Sequence, residues 1–146
     1  MTKCYQTSIE FPSVKNRKVV ADFTGGDITS NGSLPLLAQV DRQTGLTAAV
    51  AKAIGDTRRQ ASCDHSLLQL LQQRVYALTL GYEDLNDHLE LRNDLIMQTA
   101  TSRIETLASP STLCRLEHRT DRQTAVAIHE VLFEQFVRAH DKAPVD

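Results

Sequence analysis

The sequence predicts a mainly α protein: an orthogonal bundle of five or six helices preceded by a short β or irregular leader. Apolar residues recur at helical spacing in two long segments, one after Ser66 and one after Thr120. Glycines and capping patterns mark where further helices begin and end. A short β-branched run, RKVVADF from Arg17 to Phe23, indicates one strand in the leader. We expect a leader over residues 1–32, a helical domain over 33–140 and a linker over 141–146.

The composition is typical of one soluble folded domain. The chain has 146 residues, of which 41% are hydrophobic and 23% charged, so a packed core is favoured over disorder. A net charge of −2 argues against a uniformly basic nucleic-acid binder, so any DNA contact would need a local basic face. The three cysteines, Cys4, Cys63 and Cys114, lack metal-site spacing, which favours reduced thiols. The sequence has no signal-peptide pattern and no membrane-length apolar run, so we expect a cytoplasmic protein without a membrane partner.

The leader combines the predicted strand with an excess of positive charge. The strand would end at Gly25-Gly26 and pair with a segment from Tyr5 to Phe11 or with another part of the protein. Four basic residues precede or begin that strand against the single acid Glu10, and they are Lys3, Lys15, Arg17 and Lys18. Lys15, Arg17 and Lys18 are therefore candidate phosphate contacts. The alternative is an ordinary solvated tail.

The first two helices are predicted from caps and stops. Ser33 could cap a helix that carries Leu36, Leu37 and Val40, with Pro35 in its first turn and Gly45 as its stop. Thr47 could cap a shorter helix that ends at Gly55 and carries Val50, Ala53 and Ile54.

Two longer helices begin at capping boxes. The Ser66–Gln69 box opens a helix ended by Gly81. Its predicted apolar face consists of Leu67, Leu71, Val75 and Leu78, and Leu68 and Leu70 widen that face. The Thr120–Gln123 box opens another, with Ala125, Ile128, Leu132, Phe133 and Phe136 as its apolar residues. Between them, Ser109 as N-cap and Pro110 in the first turn predict a short helix.

Four segments, in this order and spacing, resemble the N-terminal region of the DDE transposases of the insertion-sequence 1380 group. They are FTGGDITSNGSLPLL (Phe23 to Leu37), GDTRR (Gly55 to Arg59), HSLLQLLQQRVYALTLGYEDLNDH (His65 to His88) and LASPSTLCRLEHR (Leu107 to Arg119). The resemblance covers about Asp22 to Arg119, most of the chain.

The resemblance implies a piece of a transposase that lacks its catalytic core. In the family, a Pro-containing linker leads into a strand whose Asp-x-Asp-x-Thr-Asp motif bears the first catalytic aspartate. Here the sequence reads HDKAPVD and stops at Asp146, without that motif. We therefore assign no catalytic residue and expect the chain to be inactive alone. The resemblance implies a divalent metal only for the missing core and no cofactor for this chain.

The short helix after Ser109 is the best candidate for reading DNA. Leu113 and Leu116 would face the core, which leaves an outer face of short hydroxyls and arginines suited to phosphates and base edges. That face consists of Ser111, Thr112, Arg115 and Arg119. The alternative is a capped connector whose arginines pair with Glu117, Asp121 or the acidic segment. Arg58 and Arg59 are further candidate phosphate contacts, with pairing to Asp56 and Asp64 as their alternative.

The segment from Glu83 to Asp94 is rich in acidic residues and contains His88. Asp84, Asp87 and His88 could in principle hold a divalent cation. The segment has no recognised metal-binding spacing, so we assign no metal site. The structural interpretation is that Asp84 and Asp87 cap helix starts or pair with Arg92 and Arg74, while Tyr82 packs on the bundle.

Two functions from different classes remain open. The first is a DNA-binding and assembly module that recognises transposon ends for DNA transposition and recombination. The second is a helical protein-interaction module that self-associates or pairs with a full-length transposase. A stand-alone enzyme is not supported, because no nucleophile–base set or complete metal triad can be assembled from the sequence.

Overall fold

The computed structural model describes residues 8–14, 17–21 and 30–140. Within these ranges, two strands precede seven α-helices and two short 3₁₀ turns, at Gln60–Ser62 and Leu85–Asp87. The mainly α class is confirmed, with more helices than the five or six expected because two of them are very short. The strands are β1 (Ile9–Val14) and β2 (Arg17–Ala21). The helices are α1 (Leu34–Thr44), α2 (Leu46–Ile54), α3 (Leu67–Thr79), α4 (His88–Leu91), α5 (Leu95–Ala100), α6 (Pro110–Glu117) and α7 (Arg122–His140).

The two strands form an antiparallel hairpin that is tied to the helices by Arg17. Ile9 lies opposite Ala21 and Phe11 opposite Val19, so the predicted strand pairs with the leader segment before it. The Arg17 guanidinium donates to Gln98 Oε1 at 3.0 Å and to the Ile104 carbonyl at 2.9 Å. A two-stranded hairpin is marginal alone, so these bonds help to hold it in place. The expected strand end at Gly25-Gly26 lies outside the described residues.

The core has two parts, and α3 contributes to both. The larger cluster joins α1, α3, α4, α5 and the segment before α6 through Leu34, Ala38, Tyr76, Ala77, Leu91, Met97, Ala100 and Leu107. The smaller cluster packs α3 against α6 through Leu67, Leu70, Ala108, Leu113 and Leu116. The position of α6 therefore depends directly on α3.

Thr47 does not cap α2, contrary to the sequence prediction. The helix begins at Leu46, two residues before the start that a Thr47 cap implies, and it follows Gly45 in a left-handed conformation with φ of 68°. Thr47 is buried and donates its backbone N–H and its hydroxyl to the Asp41 carboxylate, at 2.9 and 2.5 Å. Tyr76 also donates to Asp41, at 2.8 Å. Burial raises the pKa of Asp41, but the hydrogen bonds from Thr47, Tyr76 and Gln72 outweigh it and leave that pKa lowered.

Of the apolar residues that the sequence singles out in α1, only Leu37 packs on the core. Ser33 lies at the N-cap position, but its side chain makes no capping hydrogen bond. The buried residues are Leu34, Ala38 and Asp41, whereas Leu36 and Val40 are 55% and 54% exposed. The buried Asp41 explains the error, since a pattern of apolar residues alone cannot place a carboxylate in the core.

The start of α3 is confirmed, and its predicted face is correct in the first turn, through Leu67, Leu70 and Leu71, but not further along the helix. Ser66 Oγ accepts from the Gln69 N–H at 3.2 Å, and Gln69 Oε1 accepts from the Ser66 N–H at 3.1 Å, so the capping box is present. The buried residues are Leu67, Leu70, Gln73, Tyr76 and Ala77. Val75 and Leu78 are exposed instead. The buried face of α3 includes the polar residue Gln73. A pattern of apolar residues alone does not identify such a face.

The long helix α7 is capped by Asp121 and not by Thr120. Asp121 Oδ1 accepts from the Thr124 backbone N–H and hydroxyl, both at 2.8 Å. The helix packs mainly on α2. Of its predicted apolar residues, Ile128 is half-buried, whereas Ala125, Leu132, Phe133 and Phe136 are exposed.

Candidate nucleic-acid interface

The helix α6 begins where the sequence predicts. Ser109 is its N-cap and accepts from the Thr112 N–H at 3.4 Å, while Pro110 occupies the first turn. Leu113 and Leu116 are buried in the second core cluster. The opposite side of α6 is therefore the outer one, as expected.

A buried glutamine fixes the start of α6 against α3. Gln73 Oε1 accepts from the Ala108 N–H, and Gln73 Nε2 donates to the Ala108 carbonyl, both at 3.0 Å. The residue after this pair is the N-cap Ser109. The two bonds satisfy buried backbone groups and set where the helix starts.

His88 completes this buried network. Its Nδ1 lies 3.1 Å from Gln73 Nε2, and because the amide nitrogen can only donate, Nδ1 accepts and the proton lies on Nε2. The ring is fully buried, and Nε2 has no hydrogen-bond partner among the described residues. Burial, with the nearby charge of Arg74, lowers the pKa of His88 to about 4, against the opposing effect of Asp87 and Glu117. The ring is therefore neutral near pH 7.

Arg115 lies on the outer face of α6, whereas Arg119, expected on the same face, follows the end of the helix at Glu117. Both arginines are exposed and neither is engaged by a carboxylate among the described residues. Arg115 donates to Thr112 Oγ1 at 3.2 Å. Across residues 8–14, 17–21 and 30–140, neither Arg115 nor Arg119 forms an ion pair. Glu117, their expected partner in the connector interpretation, pairs with Arg74 at 2.6 Å instead. The ion pairs that the connector interpretation requires are absent from the described part of the chain.

The hydroxyls of the first turn of α6 are partly engaged with one another. Ser109 Oγ lies 3.0 Å from Ser111 Oγ and 3.0 Å from Thr112 Oγ1. Ser111 is exposed and Thr112 is half-buried. The predicted outer face of α6 is thus assembled as one polar surface.

Arg58 and Arg59 differ in their surroundings. Arg58 donates through Nε and Nη2 to the Asp56 carboxylate, at 2.7 and 2.5 Å. This bidentate pair holds the pKa of Asp56 well below its usual range. The expected alternative of pairing with Asp56 is therefore confirmed for Arg58. Arg59 is exposed, and among the described residues its side chain forms no ion pair.

The first turn of α6 opens onto a pocket of about 350 Å³, which we call the arginine pocket. Among the described residues, four arginines line it, Arg58, Arg92, Arg115 and Arg119. Other lining residues include Ser109, Thr112, His65 and the exposed carboxylate of Asp64. Even with Asp64 and the Asp56 partner of Arg58, the pocket has an excess of positive charge. A chain of net charge −2 therefore carries a local basic site.

The electrostatics of His65 agree with that excess. Its pKa is lowered, first by burial and then by the positive charge of Arg103, with smaller contributions from Arg92 and Arg58. Asp64 acts in the opposite direction. The positive field outweighs the one carboxylate beside the ring.

Arg92 was not predicted as part of this site. The sequence interpretation paired it with Asp84 or Asp87, but within the described ranges it forms no ion pair. It follows α4, and its backbone carbonyl accepts from the Leu107 N–H at 3.0 Å. This hydrogen bond joins residues 15 positions apart in the sequence and brings Arg92 to the pocket. No local sequence pattern predicts the contact.

Of the basic leader residues that the structure describes, Arg17 and Lys18 do not line the arginine pocket. Arg17 is bonded to Gln98 and Ile104, and Lys18 pairs with Glu10 at 2.6 Å, both side chains being exposed. Lys15 lies outside the described residues. A phosphate-contacting role for these three residues stays a prediction.

Acidic residues of the segment from Glu83 to Asp94 cap helical turns. Asp84 accepts from the Asn86 N–H at 2.8 Å and Asp94 from the Met97 N–H at 2.7 Å, so both cap short helical turns. Asp87 lies at an N-cap position without a side-chain bond, and Tyr82 packs on the larger core cluster. Arg74 donates to the Tyr82 and Glu83 carbonyls rather than to Asp84 or Asp87.

Two general findings apply to the described residues. They contain no group of three or more His, Cys, Asp or Glu side chains placed to hold a metal ion. None of their helices is both long enough and apolar enough to cross a membrane.

Comparison with known proteins identifies the family. No match was found among curated proteins or among solved structures. Residues 11–146 match the family described as transposase DDE domain group 1. Because that match covers nearly the whole chain, the protein belongs to the DDE transposase family.

Proposed function

We propose that this chain is a DNA-binding and assembly module of an insertion-sequence 1380 transposase, and that it binds transposon-end DNA through the outer face of α6. The observation that carries the proposal is the pair Arg115 and Arg119. Both are exposed beside a basic pocket, and neither is neutralised by a carboxylate within the described ranges.

The size and chemistry of α6 suit a DNA groove. The major groove is wide enough for an α-helix, whose diameter is about 10–12 Å, and the eight residues of α6 would extend roughly 12 Å along it. Exposed arginines can donate two hydrogen bonds to guanine or contact phosphates, and the Ser111 and Thr112 hydroxyls can bind either. The buried Leu113 and Leu116 hold the helix on the domain while its outer face meets DNA.

Other basic residues would add sequence-independent contacts. Arg59 is exposed near the pocket-lining Arg58, and we propose that both contact phosphates, Arg58 while still paired to Asp56. Lys15, Arg17 and Lys18 would contact the backbone from the leader. The function places the protein in the cytoplasm, where it would meet DNA.

The test of this proposal is a pair of matched arginine variants. Arg115→Ala should weaken binding to terminal-repeat DNA by about 1–3 kcal/mol and reduce its preference over a scrambled duplex. Arg138→Ala removes the same charge from an exposed position near the end of α7, so it is the control. Fluorescence anisotropy with both duplexes at fixed salt measures the two affinities.

We expect Arg115→Ala to lose more affinity for terminal-repeat DNA than Arg138→Ala does. If Arg115→Ala and Arg138→Ala weaken both duplexes equally, α6 does not read DNA. Wild-type protein that binds neither duplex at low salt would exclude the DNA-binding function altogether.

A second candidate function rests on the outer face of α7. This α7 outer face consists of Val126, Leu132, Phe133, Phe136 and Val137, all exposed large apolar residues. Large contiguous patches of exposed apolar side chains often mark protein interaction surfaces. We propose that this face mediates self-association or pairing with a full-length transposase, alone or alongside DNA binding.

A further inference from the structure

The side chain of Arg92 lies beside α6 and forms no hydrogen bond or ion pair through its guanidinium with any described residue. Its Nε is buried and has no hydrogen-bond partner among the described residues. No carboxylate in residues 8–14, 17–21 and 30–140 pairs with it. Arg92 as a whole is half-buried, but a buried N–H without an acceptor is costly, so the Nε–H of Arg92 would gain from an anionic acceptor in the pocket.

The position of Arg92 is fixed by its backbone. The Arg92 carbonyl accepts from the Leu107 N–H at 3.0 Å and from Gln98 Nε2 at 3.3 Å. Leu107 immediately precedes Ala108, which Gln73 holds from the other side. The backbone of Arg92 and the start of α6 are therefore held at fixed positions relative to each other.

The other groups around the pocket favour a phosphate. Arg115 and Arg119 bring two further guanidinium groups without carboxylate partners in the described chain, and Ser109 and Thr112 place hydroxyls at the N-terminus of α6. Guanidinium groups match the oxygens of a phosphate, and a helix N-terminus adds a favourable field. Within the described ranges, Asp64 is the one carboxylate-bearing residue that lines the pocket, and it is exposed.

We propose that the arginine pocket binds one phosphate group, with the half-buried Arg92 as the inner ligand and the exposed Arg115 and Arg119 as the outer ones. The inference rests on the proposed DNA-binding function for the source of that phosphate, the backbone of the bound DNA. A phosphate seated in this pocket would fix the register of α6 on the duplex, since phosphate contacts position a protein and base contacts specify the sequence.

The first experiment uses the full chain and inorganic phosphate as the probe. Phosphate is titrated into ¹⁵N-labelled protein while the arginine Nε–Hε signals are followed by NMR, with chloride at equal ionic strength as the control. The Arg92 signal should shift with saturation, and the Arg138 signal should not. An Arg92 signal that responds no more than that of Arg138 would overturn the pocket.

The second experiment uses DNA and a charge-matched pair of variants. R92Q should weaken duplex binding about tenfold, the size expected for one charge-assisted hydrogen-bonded contact, and lower the slope of log K against log salt by roughly one phosphate. R138Q should change both quantities much less. Equal effects of R92Q and R138Q on affinity and slope would count against the proposal.

Thermal unfolding separates ligand binding from a packing role. Since no described residue pairs with the Arg92 guanidinium, R92Q should unfold close to the wild-type temperature. If R92Q unfolds early and R92K restores both stability and DNA affinity, positive charge at this position is still required and the pocket stands. If R92K restores stability but not affinity, the guanidinium itself is the ligand. If R92Q is unstable yet binds phosphate normally, Arg92 is structural and the proposal fails.

The failures of the two proposals are distinguishable. If the protein binds no DNA but its Arg92 signal shifts saturably with phosphate, the phosphate site is supported and the DNA-binding function is excluded. If DNA binding depends on Arg115, while the Arg92 signal does not shift with phosphate and R92Q binds DNA normally, the DNA-binding function is supported and the phosphate site is excluded.

Discussion

Two buried polar side chains, Gln73 and His88, place the start of α6. Gln73 uses both halves of its amide on the Ala108 backbone and gives a further hydrogen bond to His88 Nδ1. Such a network stabilises the fold only while its members keep their protonation states. The pKa of His88, lowered to about 4, makes it the member that acid disturbs first.

The free energy of unfolding should therefore fall as the pH drops from about 6.5 towards 4. The unfolded chain binds a proton to His88 near pH 6.5, whereas the folded chain resists it until about pH 4, so acid favours unfolding by up to about 3 kcal/mol. His88→Asn keeps an acceptor for Gln73 and should remove this part of the pH dependence. Urea unfolding at several pH values between 7 and 4.5 measures it.

His65 also has a lowered pKa, so the difference between wild type and His88→Asn is the informative quantity. His129→Gln, on the exposed side of α7, is the control and should behave like wild type. If His88→Asn retains the wild-type pH dependence, His88 is not the titrating group.

At the scale of elements, α6 is a short helix that depends on its neighbour. It has eight residues, too few for stability alone, and its inner face packs on α3. The Gln73 contacts tie the first turn to the same helix. A change inside α3 should therefore alter an outer surface on α6.

Gln73→Met should destabilise the domain by roughly 2–4 kcal/mol, because it leaves the buried N–H and C=O of Ala108 unsatisfied. It should also weaken DNA binding at temperatures where the domain stays folded, since the first turn of α6 would move. Denaturant unfolding and anisotropy on the same sample measure both effects.

The matched control is Gln72→Met on the same helix. Gln72 is half-buried, and its hydrogen bond to Asp41 is long at 3.4 Å, so we expect a loss below about 1 kcal/mol. Equal losses for the two variants would contradict the role given to Gln73.

At the scale of the whole molecule, charge and apolar surface are segregated. The chain has a net charge of −2, yet four arginines line one pocket beside α6. The α7 outer face is apolar, with Phe133 and Phe136 exposed by 61% and 60%. The two surfaces suit different partners, an anion for the first and an apolar protein surface for the second.

If the α7 outer face pairs with a second copy, the protein should be a dimer at micromolar concentration. The helix has 19 residues and spans roughly 28 Å, long enough to form the centre of a standard-size interface. Replacing Phe133 and Phe136 together by Glu should give a monomer, because two buried charges would face the apolar partner. Sedimentation velocity over a concentration series measures the change.

The control replaces Leu36 and Val40 of α1, a similarly exposed apolar pair, by Glu. That variant should keep the wild-type mass. A wild-type protein that is monomeric across the series would exclude self-association through α7.

The sequence by itself determined the features that are local along the chain. The mainly α class, the Ser66–Gln69 capping box, the Ser109–Pro110 start of α6 and the outward direction of Arg115 and Arg119 all follow from interactions within a few residues. The family was also readable from the sequence, since its motifs are stretches of sequence. The finer statements, the transposase group, the domain boundaries and the DNA contacts, stay predictions.

The tertiary structure decided which helix faces are buried and where the pocket lies. Asp41 and Gln73 occupy core positions because partners distant in sequence satisfy their polar atoms, and this shifted the buried stripes of α1 and α3 away from Val40, Val75 and Leu78. Arg92 reaches the arginine pocket because its backbone pairs with that of Leu107, a contact that no local pattern encodes. Burial and charge clustering depend on which segments meet in space, and only the folded chain specifies those meetings.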